Sequence, residues 1–110
     1  MFANYTEESL IKSLINSNKT NQNKVYLFEW SNDLIIDAKI ECFYETDNEL
    51  NINDVAYFEY YVCVIEITKI LQNKLLNFEK TSGDFIEICY KNIPTKITTE
   101  NGETIWEITS

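Results

Sequence analysis

The chain has no histidine, no arginine, only two glycines and one proline, and three cysteines in 110 residues. Without histidine no side chain has an unperturbed pKa near neutrality, no Ser-His or Cys-His nucleophile pair can be assembled, and zinc and iron lose their imidazole ligands. Without arginine the bidentate fork that grips phosphate and guanine is missing. All nine basic residues are lysines, set against eighteen carboxylates for a formal net charge of −9. Such a surface repels polyanions, which disfavours nucleic acid and anionic membrane as partners and favours basic ones. There is no Gly-rich phosphate loop. The three thiols, Cys42, Cys63 and Cys89, make no CxxC pair, and residues 1–24 lack the basic-then-apolar layout of a secretion signal. No apolar run approaches the roughly 20 residues of a membrane span. The expectation is a reduced, cytoplasmic protein without cofactor or metal. Abundant Asn, Ile, Lys and Tyr fit an AT-rich bacterial genome.

What is present suffices for one folded domain over residues 1–110, since 45% of the residues are hydrophobic and a chain of this mass buries about two-thirds of its unfolded surface. Asn4 followed by Glu7 makes a capping-box pattern, and Leu10, Ile11, Leu14 and Ile15 form an apolar stripe, which predicts a helix over about 4–17. A polar stretch over 16–24 reads as a linker. From Val25 the period changes to two, and strands are expected at about 25–30, 34–45, 57–69, 85–91, 95–99 and 104–109, the last pair joined by an Asn101-Gly102 turn. In the third strand the apolar set moves from even to odd numbers near Val64-Ile65, which calls for a bulge there. The fold class is therefore α+β and β-dominated: an N-terminal helix with a strongly coiled antiparallel sheet, or a partly open small barrel, of about six strands.

If the second and third strands form a hairpin around Thr46 to Asp54, Glu45 lies opposite Tyr57, Phe43 opposite Glu59 and Glu41 opposite Tyr61. One face then holds Ile40, Cys42, Tyr44, Phe58, Tyr60 and Val62 as core. The other becomes a patch of Glu41, Phe43, Glu45, Tyr57, Glu59 and Tyr61, with acids to steer and rings to supply contact area, which suits a basic protein partner. The bland reading is that the helix covers these rings and the acids are solvated around them. The same patch could serve a homodimer.

Catalytic readings find less support. Glu41, Glu45 and Glu59 could in principle do acid-base work, but an open sheet face shields little from water. Asp47, Glu49, Asn51 and Asn53 recur as calcium ligands do, yet a twelve-residue frame begun at Asp47 has no glycine at its sixth position and Phe58 at its twelfth. Cys63 falls on the outward parity with nothing to activate it, and Cys42 on the inward parity as a small core residue. Trp30 and Trp106 read as core or edge aromatics.

In general character, small, acidic and without catalytic residues, the chain resembles the immunity or antitoxin proteins that bacteria make to cap a basic secreted toxin, and also many accessory binding proteins. The resemblance is one of profile, covers no defined motif and transfers no residues. It implies a non-catalytic protein that occludes a basic partner. The alternatives are a small-ligand module using a barrel mouth and a structural homo-oligomer subunit.

Overall fold

A computed structural model of the chain describes residues 1–20 and 24–108. Helix α1 spans Tyr5–Asn18, followed by strands β1 (Val25–Trp30), β2 (Leu34–Asp47), β3 (Glu59–Asn73), β4 (Phe85–Ile88), β5 (Lys96–Thr99) and β6 (Thr104–Glu107). The predicted linker over 16–24 has its first part inside α1, while residues 21–23 and position 109 of the predicted last strand lie outside the described residues.

The strands form one antiparallel sheet in the order β4-β3-β2-β1-β5-β6. It is coiled but not closed, with β4 and β6 as its two edges. Strands β1 to β4 follow one another as a meander. The chain then crosses from β4 to the far side of β1 through Cys89 to Thr95, pinned where Thr95 N–H donates to Glu29 O at 2.7 Å and Trp30 Nε1 to Asn92 Oδ1 at 2.8 Å. At the β5–β6 turn Gly102 takes a φ of +84°, a conformation that glycine adopts without strain.

Both long strands bend, as fifteen residues at about 3.3 Å each would otherwise outrun a domain of this size. Three irregularities in the β2–β3 ladder do the bending, between Ile35 and Ile36, Asp37 and Ala38, and Ile40 and Cys42. The molecule still measures 45 × 35 × 30 Å. Its 6,897 Å² of accessible surface exceeds the roughly 6,000 Å² expected of a compact chain of this mass.

Helix α1 lies on one face of the sheet. Leu10, Ile11 and Leu14 are fully buried there against Tyr26, Phe28, Ile36, Ala38, Ile65, Ile67, Ile88 and Ile97, and Ile15 packs at the margin. The helix is tied down by Trp106 Nε1, which donates to Ser9 Oγ at 3.1 Å, and by the Ser17 Oγ to Tyr26 Oη hydrogen bond of 2.8 Å. Asn4 caps the helix by accepting Glu7 N–H at 2.8 Å. The capping box is not completed in its usual form, because the Glu7 carboxylate is drawn into the core, 0% exposed, where it accepts Ala3 N–H instead of the N–H of the cap residue.

Candidate functional site

The distal half of the β2–β3 hairpin is where the sequence-derived patch falls. Its register differs from the one expected: Glu45 pairs with Tyr61, Phe43 with Cys63, and Asp47 with Glu59. The shift is four residues, so Phe43, Glu45, Glu59 and Tyr61 keep a common face. That face is the one that carries α1. The cause is a bulge at Glu41: Ile40 pairs with Ile65 but Cys42 with Val64, so the inward parity of β2 changes from even to odd at this point. The bend sits at the level of Val64-Ile65, as the pattern suggested, but on the opposite strand.

The consequences follow residue by residue. Glu41 is the extra residue of the bulge and is exposed. Phe43 and Tyr61 are half-buried and pack against the core cluster, Tyr61 with its ring stacked on Phe2 at 5.3 Å and its N–H donated to Glu7 Oε1 at 2.9 Å. Phe2 of the N-terminal segment thus covers the Tyr61 ring, and the Phe43 ring lies beside that of Tyr61 at 6.5 Å. Glu45 is exposed and ion-paired with the Met1 ammonium, whose pKa it raises. Tyr57 donates its hydroxyl to Glu59 Oε2 at 3.1 Å. Its partial burial and this carboxylate hold the phenol above its ordinary pKa.

The set expected as core divides. Ile40 is buried with α1, but Cys42, Tyr44, Phe58 and Tyr60 lie on the helix-free face, and Cys42 is exposed. Cys63, placed outward by parity, is instead fully buried, and burial pushes its thiol well above the ordinary value. Tyr60 and Tyr90 meet edge to face at 4.9 Å, Phe58 joins Tyr90 at 5.2 Å, and Lys91 Nζ stands 5.5 Å from the Tyr60 ring. Tyr44 donates its hydroxyl to Glu87 Oε2 on β4, two strands away. Its ring must therefore cross β3, which accounts for Val62 being 1% exposed on a face that no helix covers.

Charge is distributed unevenly. Between Lys39 and Lys69 there are seven carboxylates and no lysine, so the hairpin carries most of the excess of −9. Asp47 and Glu59 are direct cross-strand partners, an arrangement that destabilises a sheet. Among the described residues only two ion pairs form, Met1 with Glu45 and Lys12 with Glu8. Among the described residues no lysine forms an ion pair with a hairpin acid, although Lys39 stands opposite Glu66 in the ladder. Nor does the loop gather calcium ligands: Asp47, Asn51 and Asp54 turn their oxygens to backbone N–H groups of the loop itself, and among the described residues no group of three or more Cys, Asp or Glu side chains is arranged to hold a metal. An apolar cleft lined by Trp30, Leu34, Leu75, Phe78 and Ile86 has a volume of about 240 Å³, below the range of roughly 300–1,000 Å³ usual for small-molecule sites.

The chain is thus a one-helix, single-sheet α+β domain with an acidic hairpin. The chain belongs to the family described as "Cognate immunity protein YxxD", whose model matches residues 5–110. The tetrapeptide Tyr-x-x-Asp occurs once in the sequence, at Tyr44 to Asp47 on the distal part of β2. No curated protein matches the chain, and no solved structure does. Family membership gives it an immunity-type role, exercised on a partner protein. No helix among the described residues is long and apolar enough to cross a membrane.

Sequence reasoning set Asp47 beside the patch, assigned Tyr44 to the core and did not single out Tyr90. The lysine-free interval was available to it, but the parity change at Glu41 was not marked by any turn residue.

Proposed function

We propose that this immunity protein acts without catalysis in the cytoplasm, by binding a basic toxin through the distal β2–β3 hairpin and covering the toxin's working surface. The observation that carries the reading is the concentration of seven carboxylates in a segment without a lysine, on a chain whose family designation already names immunity. Glu41, Glu45 and Glu59 form its charged part, joined by Asp47 and by the Tyr57 hydroxyl. Phe43 and Tyr61 support that face from beneath and contribute their exposed edges. The charge that attracts a basic partner opposes nucleic acid, anionic membrane and a second copy of the chain.

The test is charge reversal. Glu41→Lys with Glu59→Lys should slow association with the toxin at low salt by at least about tenfold, and wild-type association should slow steeply as salt rises. Unchanged association of the double variant at low salt would remove the electrostatic basis of the reading.

A further inference from the structure

The connection from Asn48 to Phe58 is held in shape by its own polar side chains. Asp47 Oδ1 accepts Glu49 N–H at 2.8 Å, Asn51 Oδ1 accepts Asn53 N–H at 2.9 Å, and Asp54 Oδ1 accepts Ala56 N–H at 2.8 Å. The Asn48 amide donates to Ala56 O at 2.8 Å, and Asn48 N–H donates to Phe58 O at 3.2 Å, which closes the neck. The aliphatic side chains of the same loop take no part in this. Leu50 is 43% exposed, Ile52 73% and Val55 104%.

Loops of this length normally present polar side chains, and grouped aliphatics in water mark interaction sites or invite aggregation. Here they stand on a backbone already fixed by hydrogen bonds, so burying them against a partner orders little that is not ordered beforehand. Asp47, Glu49, Asp54 and Glu59 flank them along the chain. We propose that this loop is the anchor of the complex, with Ile52 and Val55 entering an apolar depression on the toxin whose rim is lysine or arginine. The inference rests on the acidic-hairpin reading above and adds what the partner must offer at the centre of the contact. Charge decides between occupants: a second copy would bring two lysine-free acidic hairpins together, and an anionic bilayer would be repelled by the same acids.

The experiment uses the full chain and, as probe, the toxin whose growth inhibition the wild-type chain relieves on co-expression, purified as the complex and then separated. Ile52→Ser with Val55→Ser should raise the dissociation rate about a hundredfold while leaving low-salt association within about twofold, since loss of desolvated contact acts on dissociation and loss of charge on association. The melting temperature of the free variant should match wild type. If the double serine variant dissociates at the wild-type rate while Glu41→Lys with Glu59→Lys weakens the complex, the anchor is wrong and the acidic docking surface stands. If both variants bind as wild type, both readings fall together. A lowered melting temperature would assign the aliphatics to the fold, and a free wild-type dimer that the serine changes dissociate would assign the loop to a second copy; either result overturns the proposal.

Discussion

The Glu7 carboxylate accepts the backbone N–H of Tyr90 at 2.6 Å across 83 residues of sequence. Its other oxygen accepts Tyr61 N–H and Ala3 N–H, each at 2.9 Å. Strand β4 ends at Ile88, paired with Cys63, so the N–H of Tyr61 has passed the end of its neighbouring strand and Glu7 takes the place of a strand carbonyl. One fully buried side chain therefore joins the start of α1, the edge of β3 and the β4–β5 crossover.

Replacing Glu7 by alanine should destabilise the protein by about 3–5 kcal/mol, because three half-buried donors lose their fully buried acceptor at once. Asn4→Ala, which removes only a cap, should cost about 1 kcal/mol. Urea denaturation measures both, and hydrogen exchange at the Tyr61 and Tyr90 amides should accelerate only in the Glu7 variant. A Glu7→Ala protein as stable as Asn4→Ala would show that these donors find other acceptors.

The Tyr44 hydroxyl, through its hydrogen bond to the Glu87 carboxylate, has its pKa pushed up from 10.0 to about 12. The neutral phenol is the form favoured by folding, so the stability it confers is fully present below pH 10 and is lost as pH rises through about 12. Tyr44→Phe keeps the ring over Val62 and should cost roughly 0.5–1 kcal/mol at pH 8, a value kept small by the exposure of the pair. The gap between wild type and variant should close as pH rises through the phenol range. Equal stabilities at pH 8 would show that the clasp contributes nothing.

Of the three thiols only Cys42 is exposed, while burial raises the pKa of both Cys63 and Cys89. Iodoacetamide should therefore add one label to the folded protein and three after denaturation, and peptide mapping should place the single label at Cys42. Labelling of Cys63 at a comparable rate would contradict the register of β3.

Glu59 faces Asp47 across the hairpin, and among the described residues neither forms an ion pair. Glu59→Lys should stabilise the free protein by roughly 0.5–1 kcal/mol, since it turns a like-charge pair into an opposite one, yet it should weaken toxin binding. Thermal melts with and without toxin separate the two effects. A variant less stable when free would mean that the Tyr57 hydrogen bond to Glu59 outweighs the repulsion.

Much of the architecture was legible because its period is regular. The stripe of Leu10, Ile11 and Leu14 and the alternation from Leu34 to Ile40 report burial directly, and together with the strand count they define the α+β class. Glu41 shows why the reading then turned over. Along Lys39-Ile40-Glu41-Cys42 the alternation continues unbroken in sequence while the ladder loses one pairing, so Cys42 and Tyr44 read as core although they lie on the helix-free face, and Phe43 reads as outward although it packs on the core. A bulge that exchanges faces between two equally aromatic sets leaves no compositional trace. Glu7 was equally opaque, since a capping-box glutamate and a buried bridge share the same sequence pattern. At the hairpin the acids were visible as letters. That Asp47 and Glu59 stand directly opposite each other became visible only once the strands were paired.

Strand β1 lies inside the sheet, yet the neighbour on its second side is β5, with Tyr26 beside Thr99 and Glu29 beside Lys96. Pairing over such long intervals slows folding, because loop closure must precede the contacts that reward it. During synthesis the acidic hairpin can form as soon as its own strands have emerged, whereas the platform beneath it stays open along one side of β1 until β5 arrives. A nascent chain would thus display its charge before it has the rigidity to hold a partner.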